Sequence, residues 1–344
     1  MEKIIINTPV SRSEILVGES WESVRELLPE SNVAIITDQN VQRIYGKSFP
    51  DFPVFAVKAG EVSKKIEVVE YLAERLLDSG IDRSGFILAI GGGVVSDIAG
   101  FLASIYMRGI RCACVSSTLL SQVDASTGGK NGVNLGSIKN VLGSFRQPEF
   151  VICDPSMLKT LPEEEYNSGL AELIKTAIIG NEKLFEVIEH SVEGIIKRDP
   201  GLLSLLVSMS VNFKASVVSE DEKENGIRRI LNFGHTYGHA IEMYKSFKHG
   251  YAVASGMELA TSFSYSKGLI GKAESVRIIN ILKKFNLLRR HNIPDNEISQ
   301  FILHDKKKSG TDIYFVFTTG IGRAAVEKIP VEEVVNFYIK NKSI

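Results

Sequence analysis

Short runs of apolar residues, many of them β-branched, recur along the first 150 or so positions, and stretches of helical spacing lie between them. Residues 33–37 (VAIIT), 54–57 (VFAV), 86–90 (FILAI), 112–115 (CACV) and 150–153 (FVIC) are such runs. None alternates with polar residues, which is the mark of strands covered on both faces. Residues 4–6 and 14–17 flank Pro9 and predict an early hairpin. Across 62–78, Ile66, Val69, Leu72, Ala73, Leu76 and Leu77 repeat with a period near 3.6. Strand and helix alternating in this way predict a doubly wound, parallel α/β domain.

Past residue 156 the pattern changes. Long amphipathic stretches take over at 163–180, 182–197, 201–220, 233–246, 251–267 and 273–285, and the next strand-like run is 313–317 (IYFVF). Pro155, Pro162 and Pro200 punctuate these stretches, and Gly268 and Gly271 separate the last two. The expectation is a mostly α-helical second domain, with domains at 1–154 and 155–344. There is no internal repeat and no low-complexity tract.

Composition narrows the function classes. The 344 residues carry 40 Lys plus Arg against 41 Asp plus Glu, a net charge of −1. Nucleic-acid binding usually brings a basic excess or stripe, so any anion bound here is small and met locally. Cys112, Cys114 and Cys153 lie in apolar runs with no CxxC pair and read as buried thiols. The opening MEKIIINTPV lacks the features of a secretory signal, and no apolar run is expected to reach membrane-helix length. The expected location is the cytoplasm.

Candidate chemistry clusters in a few places. Gly91, Gly92 and Gly93 follow the strand FILAI and open a helical run, where backbone N–H groups and a helix N-terminus can meet a phosphate. The spacing is not GxGxxG, so a tight βα turn is the competing reading. Asp97 lies one turn into that helix, and Asp38 ends a strand, where a carboxylate can accept from ribose hydroxyls. Residues 116–147 are rich in glycine and small polar residues and hold Asp124, Lys130, Lys139, Asn140 and Arg146. Their Val, Leu and Ile content argues for an ordered loop that lines a ligand.

Glu172 and Lys175, three apart, share a face of an apolar helix, as an ordinary ion pair would. His235 and His239 are four apart, and His249 follows fourteen residues after His235. Three of six histidines within fifteen residues, with a carboxylate upstream, fit a catalytic metal site with an open position. The HxxxH spacing alone is weak, and no HExxH signature is present. Lys214, Arg228, Arg229 and the run Lys306, Lys307, Lys308 add cations. Beside a metal site in a neutral chain, these suggest a substrate carrying phosphate or carboxylate.

Taken together, the blocks GGGVVSDIAGFLAS, YMRG, STLLSQVDASTGGKNGVN, IKNVLGSFRQP, CDPSMLKTLP, GLAELIKTA, DEKENGIRRILNFGHTYGHAIE and HGYAVASGM resemble the 3-dehydroquinate synthase family of sugar-phosphate cyclases, from about Thr37 to beyond Lys307. The resemblance implies an N-terminal NAD-binding α/β domain and a C-terminal helical domain for metal and substrate. It implies conversion of 3-deoxy-D-arabino-heptulosonate 7-phosphate to 3-dehydroquinate and phosphate, in the shikimate route to aromatic amino acids. The steps are transient oxidation by NAD, phosphate elimination, re-reduction, ring opening and an intramolecular aldol.

By the same resemblance Glu172, His235 and His249 would bind one zinc or cobalt ion per subunit, and His239 would face the substrate. Lys130, Asn140, Lys175, Lys214, Arg228, Asn232 and one of Lys306 or Lys307 would hold its phosphate and carboxylate. Asp124 and Glu224 would meet its hydroxyls. Within that set Lys130, Lys175, Asp124, His239 and Asn232 would be the catalytic groups. NAD would meet Asp38, Glu61, Lys64, Gly91, Gly92, Gly93, Asp97, Ser117, Thr118 and Thr160, with Lys130, Lys139 and Asn140 alongside. Arg108 would reach a neighbouring subunit's site, so a homodimer is implied. The alternatives are a metal-dependent alcohol or polyol dehydrogenase and another sugar-phosphate cyclase.

Overall fold

The computed structural model describes residues 1–9, 11–136, 138–245, 247–303, 308–309 and 312–342. Its internal contacts divide the chain into two compact units. Unit 1 is Met1–Leu161 with Leu203–Glu222, and unit 2 is Pro162–Leu202 with Lys223–Ile344.

Unit 1 begins with an antiparallel hairpin of β1 (Glu2–Asn7) and β2 (Arg12–Val17), in a register that sets Ile4 opposite Ile15. There follow α1 (Val24–Leu27), β3 (Val33–Asp38), α2 (Gln39–Tyr45), β4 (Val54–Val57), α3 (Ile66–Asp78), β5 (Phe86–Gly91), α4 (Gly93–Ile105) and β6 (Arg111–Ser116). A second hairpin, β7 (Lys130–Leu135) and β8 (Ile138–Phe145), precedes β9 (Phe150–Cys153). The main sheet has seven strands in the order β1-β2-β9-β6-β5-β3-β4, and every pairing after the first is parallel. The doubly wound α/β architecture read from the sequence is therefore the one observed.

Unalternating apolar runs become central strands because both faces must be covered. Val33, Ile35, Phe86, Leu88, Ile90, Val115 and Ile152 are all buried and pack with Trp21 in one core. Each such side chain contributes about 1.5–3 kcal/mol through burial. The strand order reverses at β3 and β5: the chain leaves β3 for β4 at the edge, then returns past it to β5. In a doubly wound sheet that reversal opens a crevice at the carboxyl ends of the strands, here at Asp38 and Gly91.

The 116–147 stretch is the main departure from expectation in this unit. It is ordered, but as a π-helical turn at Ser121–Ala125 and the β7–β8 hairpin. Gly132 and Gly143 face each other across the hairpin, and a Cβ on Gly132 would lie 2.6 Å from the Leu142 carbonyl oxygen. The glycines that obscured the strand pattern are thus what allows the two strands to approach.

Unit 2 holds α5 (Glu163–Gly180), α6 (Glu182–His190) and α7 (Val192–Ile196). Helix α8 (Pro200–Glu220) follows and belongs to unit 1 from Leu203 onward. Unit 2 resumes with α9 (His235–Lys245), α10 (His249–Ser266), α11 (Lys272–Lys284) and α12 (Asp295–Leu303). A small antiparallel sheet of β10 (Lys308–Ser309), β11 (Asp312–Gly320) and β12 (Arg323–Pro330) precedes α13 (Val331–Asn341). Only β11 and the helices up to α11 were legible beforehand. Helix α10 is the buried axis of the unit, with Tyr251–Ala254 and Met257–Ala260 all inside.

The division differs from the sequence-based cut after residue 154 in two respects. Asp154 accepts from Trp21 N at 3.0 Å and from Ser156 N at 2.8 Å, tying the 3-10 turn Pro155–Thr160 to unit 1. Helix α8 returns there because Glu2 accepts from Ser208 and from Asn212 (2.8 Å), and Lys214 is paired with Asp124. By length and composition α8 is apolar enough to cross a membrane, contrary to the expectation of no such run. In this fold Ser208, Asn212 and Lys214 of α8 are bonded inside unit 1.

Candidate active site

The turn from β5 into α4 is built by its glycines. A Cβ on Gly91 would lie 2.6 Å from Val95, and one on Gly92 would lie 2.8 Å from the Thr118 methyl. A Cβ on Gly93 would sit 3.1 Å from Ala125. The backbone is therefore bare where α4 starts, and the open amide groups of its first turn form an anion-favouring end. Ser117 N donates to Gly91 O at 2.9 Å, and Thr118 bonds Ser121, so Ser117 and Thr118 border the turn. A cradle that a Cβ would fill fits the pyrophosphate of a dinucleotide. Asp38 ends β3 and caps α2, accepting from Asn40 N (2.8 Å) and Val41 N (3.1 Å) through one oxygen.

Lys64 and Asp97 form a 2.5 Å ion pair in this unit, Lys64 buried and Asp97 half-buried. Burial pushes the Asp97 carboxyl up to about 6, against the opposing pull of Lys64. Asn134 on β7 ties several of the expected residues together. Its backbone N–H donates to Lys64 O (2.8 Å), its side-chain amide donates to Glu61 (2.9 Å), and its carbonyl oxygen accepts from Asn140 N (2.9 Å). Asn140 itself sits at φ 52°. Asp124, in the π-helical turn, is paired with Lys214 of α8 through both its carboxylate and its carbonyl oxygen (2.6 Å for the latter). Lys130 and Lys139 are exposed on the β7–β8 hairpin. Thr160 bonds Tyr45 OH at 2.7 Å. Arg108 is exposed at a left-handed kink, with Met107 at φ 51° and Arg108 at φ 70°.

In unit 2, three elements converge on one carboxylate. Glu172 and Lys175 lie on α5, and both are buried. His235 is the first residue of α9 and His249 the first of α10. The Nε2 atoms of His235 and His249 lie 3.6 and 3.3 Å from Glu172 Oε1, and Lys175 Nζ contacts Glu172 Oε2. One donor atom from each of Glu172, His235 and His249 lies within 4.8 Å of the others. Among the described residues this is the one group of potential metal ligands. The Glu172 oxygens are fully buried without a hydrogen bond of ordinary geometry, a burial cost that a metal ion or a cation beside them would offset. Two imidazoles and a carboxylate are the donor set of a catalytic zinc-type site, and the residues present fit such an ion.

The electrostatics of the cluster follow from its charges. Burial alone would raise the Glu172 carboxyl, but Lys175 and then His249 outweigh it and hold it well below the usual range. Burial alone would lower His249, but Glu172 and Glu242 outweigh it and hold the imidazole far above its ordinary value.

The rings of His235 and His249 are 5.3 and 6.4 Å from that of His239, which stands beside the cluster without joining the three donors. Arg228 is almost wholly buried in the 3-10 turn Ile227–Asn232. The side-chain amide of Asn232 donates to Glu224, which is held at φ 60°. Lys306 and Lys307 lie outside the described residues. Two polar residues emerge that sequence reading did not single out. Glu242 had a signal, since it stands seven after His235 and three after His239 on one helix. Asn134 had none, because the hairpin that places it was not legible.

Comparison with known proteins agrees along most of the chain. The family described as 3-dehydroquinate synthase N-terminal matches residues 54–168, and that described as 3-dehydroquinate synthase C-terminal matches residues 169–308. The chain is 42% identical over 339 residues to a 3-dehydroquinate synthase of Solibacter usitatus strain Ellin6076, covering 95% of each. Among solved structures it is similar to a 2-deoxy-scyllo-inosose synthase complexed with carbaglucose-6-phosphate, NAD+ and Co2+. The TM-score there is 0.88 at 25% identity, covering 98% of this chain and 99% of the other. A 2-epi-5-epi-valiolone synthase of Streptomyces hygroscopicus, with NAD+ and Zn2+ bound, shares the fold at TM-score 0.89 and 24% identity, over 99% of each chain.

Proposed function

This chain belongs to the 3-dehydroquinate synthase family and converts 3-deoxy-D-arabino-heptulosonate 7-phosphate to 3-dehydroquinate and phosphate, and from that premise we propose how its own residues divide the work. When bound, NAD supplies a hydride acceptor restored within each turnover, and a divalent zinc or cobalt ion supplies Lewis-acid polarisation of substrate hydroxyls.

In unit 1, Gly91, Gly92, Gly93 and the start of α4 take the NAD pyrophosphate. Asp38 takes a ribose, and Glu61, Lys64, Asp97, Ser117, Thr118, Lys139 and Thr160 take the remaining polar groups. Asp124, Lys130, Asn140 and Lys214 hold hydroxyl and anionic groups of the substrate, with Lys130 and Asn140 also close to NAD. The pairing of Lys214 with Asp124 orients both without a search through rotamers.

In unit 2, Glu172, His235 and His249 hold the metal. Lys175, fixed against Glu172, and the buried Arg228 meet phosphate and carboxylate, where burial strengthens each charge-assisted contact. Asn232 and Glu224 position hydroxyls as a pair. His239 holds or passes a proton at the edge of the cluster. One of Lys306 or Lys307 completes the anion site. We place the enzyme in the cytoplasm as a homodimer in which Arg108 reaches the partner's site.

The observation that carries the reading is the convergence of both Nε2 atoms on Glu172 Oε1, with Lys175 on the opposite oxygen. The test is phosphate release from 3-deoxy-D-arabino-heptulosonate 7-phosphate, with metal present and NAD far below substrate. Many turnovers per NAD without NADH build-up are expected. NADH accumulating one-for-one with a simple polyol, and no phosphate released, would instead establish a dehydrogenase.

A further inference from the structure

The two imidazoles of the metal cluster are each gripped at Nδ1, and by different partners. His235 Nδ1 faces the carbonyl oxygen of Phe233 at 3.1 Å, a neutral acceptor. His249 Nδ1 faces Glu242 Oε2 at 3.2 Å, a carboxylate that is mostly buried. Both contacts leave Nε2 directed at Glu172 Oε1. An acceptor at Nδ1 places the neutral ring's proton there and frees the Nε2 lone pair for a metal.

Taking Glu172, His235 and His249 as the donors, as proposed above, we infer that Glu242 is a positioning residue that fixes the Nδ1–H tautomer and the ring orientation of His249. His249 needs this more than His235. It is the more exposed of the two rings, with 34% of its side chain accessible against 11%. Glu242 reaches it from α9, the helix that begins with His235 and also carries His239. One helix therefore supplies a donor, the neighbouring histidine and the carboxylate that orients the third donor. The carboxylate also adds negative charge behind the imidazole, which makes Nε2 a stronger donor.

The test uses the full-length, metal-loaded enzyme and the variants Glu242→Ala, Glu242→Gln and His249→Ala. Zinc affinity is measured by competition with a chelator, the cobalt form by its visible absorption spectrum, and His249 by the nitrogen-15 shifts of its ring. Glu242→Ala should weaken zinc about 10–100-fold and alter the cobalt bands. Glu242→Gln keeps the shape and an acceptor oxygen but loses the charge, so it should fall between wild type and Ala. The wild-type ring should carry its proton on Nδ1. Wild-type zinc affinity and unchanged cobalt bands in both Glu242 variants would overturn the inference, as would a ring protonated at Nε2 in the zinc form. If His249→Ala keeps wild-type zinc affinity, the ligand assignment itself has failed. If His249→Ala loses zinc while the Glu242 variants do not, only the role of Glu242 has failed. Should Glu242→Ala not fold, Glu242→Gln and the ring shifts still decide the question.

Discussion

Asp97 shows how one half-buried carboxyl couples unit 1 to pH. Its folded value of about 6 lies above the ordinary 3.8 because burial penalises the anion more than Lys64 rewards it. Between those two values the unfolded chain has released the proton while the folded chain keeps it. Stability therefore falls as pH rises through this window, by up to about 1.4 kcal/mol per pH unit for this one group. Trp21, the single tryptophan, lies in the same unit and reports its unfolding. Denaturant melts followed by Trp21 fluorescence at pH 4.5 and 6 should show that slope in the wild type. It should be missing in Asp97→Asn; equal slopes in both would mean that Asp97 titrates as an ordinary carboxylate. His291 works in the opposite direction in unit 2. Burial pulls it down to about 4, so its contribution is present above about 6.5 and is lost as pH falls toward 4.

At the scale of elements, close helix approaches set the spacing of the candidate metal donors. A Cβ on Gly250 would lie 2.3 Å from Ser168 Cα, so α10 meets α5 backbone to backbone. A Cβ on Gly256 would lie 2.1 Å from Gly234 O and 2.6 Å from Gly238 N, so α10 and α9 are equally close. Gly256→Ala must push the two helices apart, at about 1–3 kcal/mol or more for overpacking. We expect a lower thermal midpoint and weaker metal retention in the same variant; retention at the wild-type level would mean that the donors tolerate the shift. Asn134 ties the β7–β8 hairpin to the segment around Glu61 and Lys64. Asn134→Ala removes bonds to Glu61 and to the Asn140 backbone while leaving the strand pairing. NAD affinity should drop several-fold by titration calorimetry with the metal site unaffected, and an unchanged affinity would dissociate the hairpin from NAD.

For the whole molecule, the glycine turn and the candidate metal donors belong to different units. The glycine turn and the Lys64–Asp97 pair lie in unit 1, and the three donors lie in unit 2. Chelation of the metal, or His235→Ala, should therefore abolish turnover while leaving NAD affinity within about twofold. Loss of NAD binding on chelation would show that the units depend on one another for the cofactor.

Much of this was written in the sequence, and the reason is local. Unalternating β-branched runs fit strands covered on both faces, and their alternation with helical stretches marks β3, β4, β5, β6 and β9 as strands of a parallel sheet. A 3.6-residue repeat likewise marked α5 at its observed limits. The blocks around Glu172, His235 and His249 carried the family and the chemistry. Other features needed the fold because they depend on residues far apart in the chain. The return of α8 to unit 1 rests on Glu2, Ser208 and Asn212, and on Asp124 with Lys214, pairs separated by up to 210 positions. The hairpin strands were hidden because glycine, which they need for close approach, reads as loop. That two imidazoles meet at one Glu172 oxygen, and that Glu242 stands behind one of them, was decided only when α5, α9 and α10 packed, since spacing along a chain fixes which residues share a face but not which faces meet.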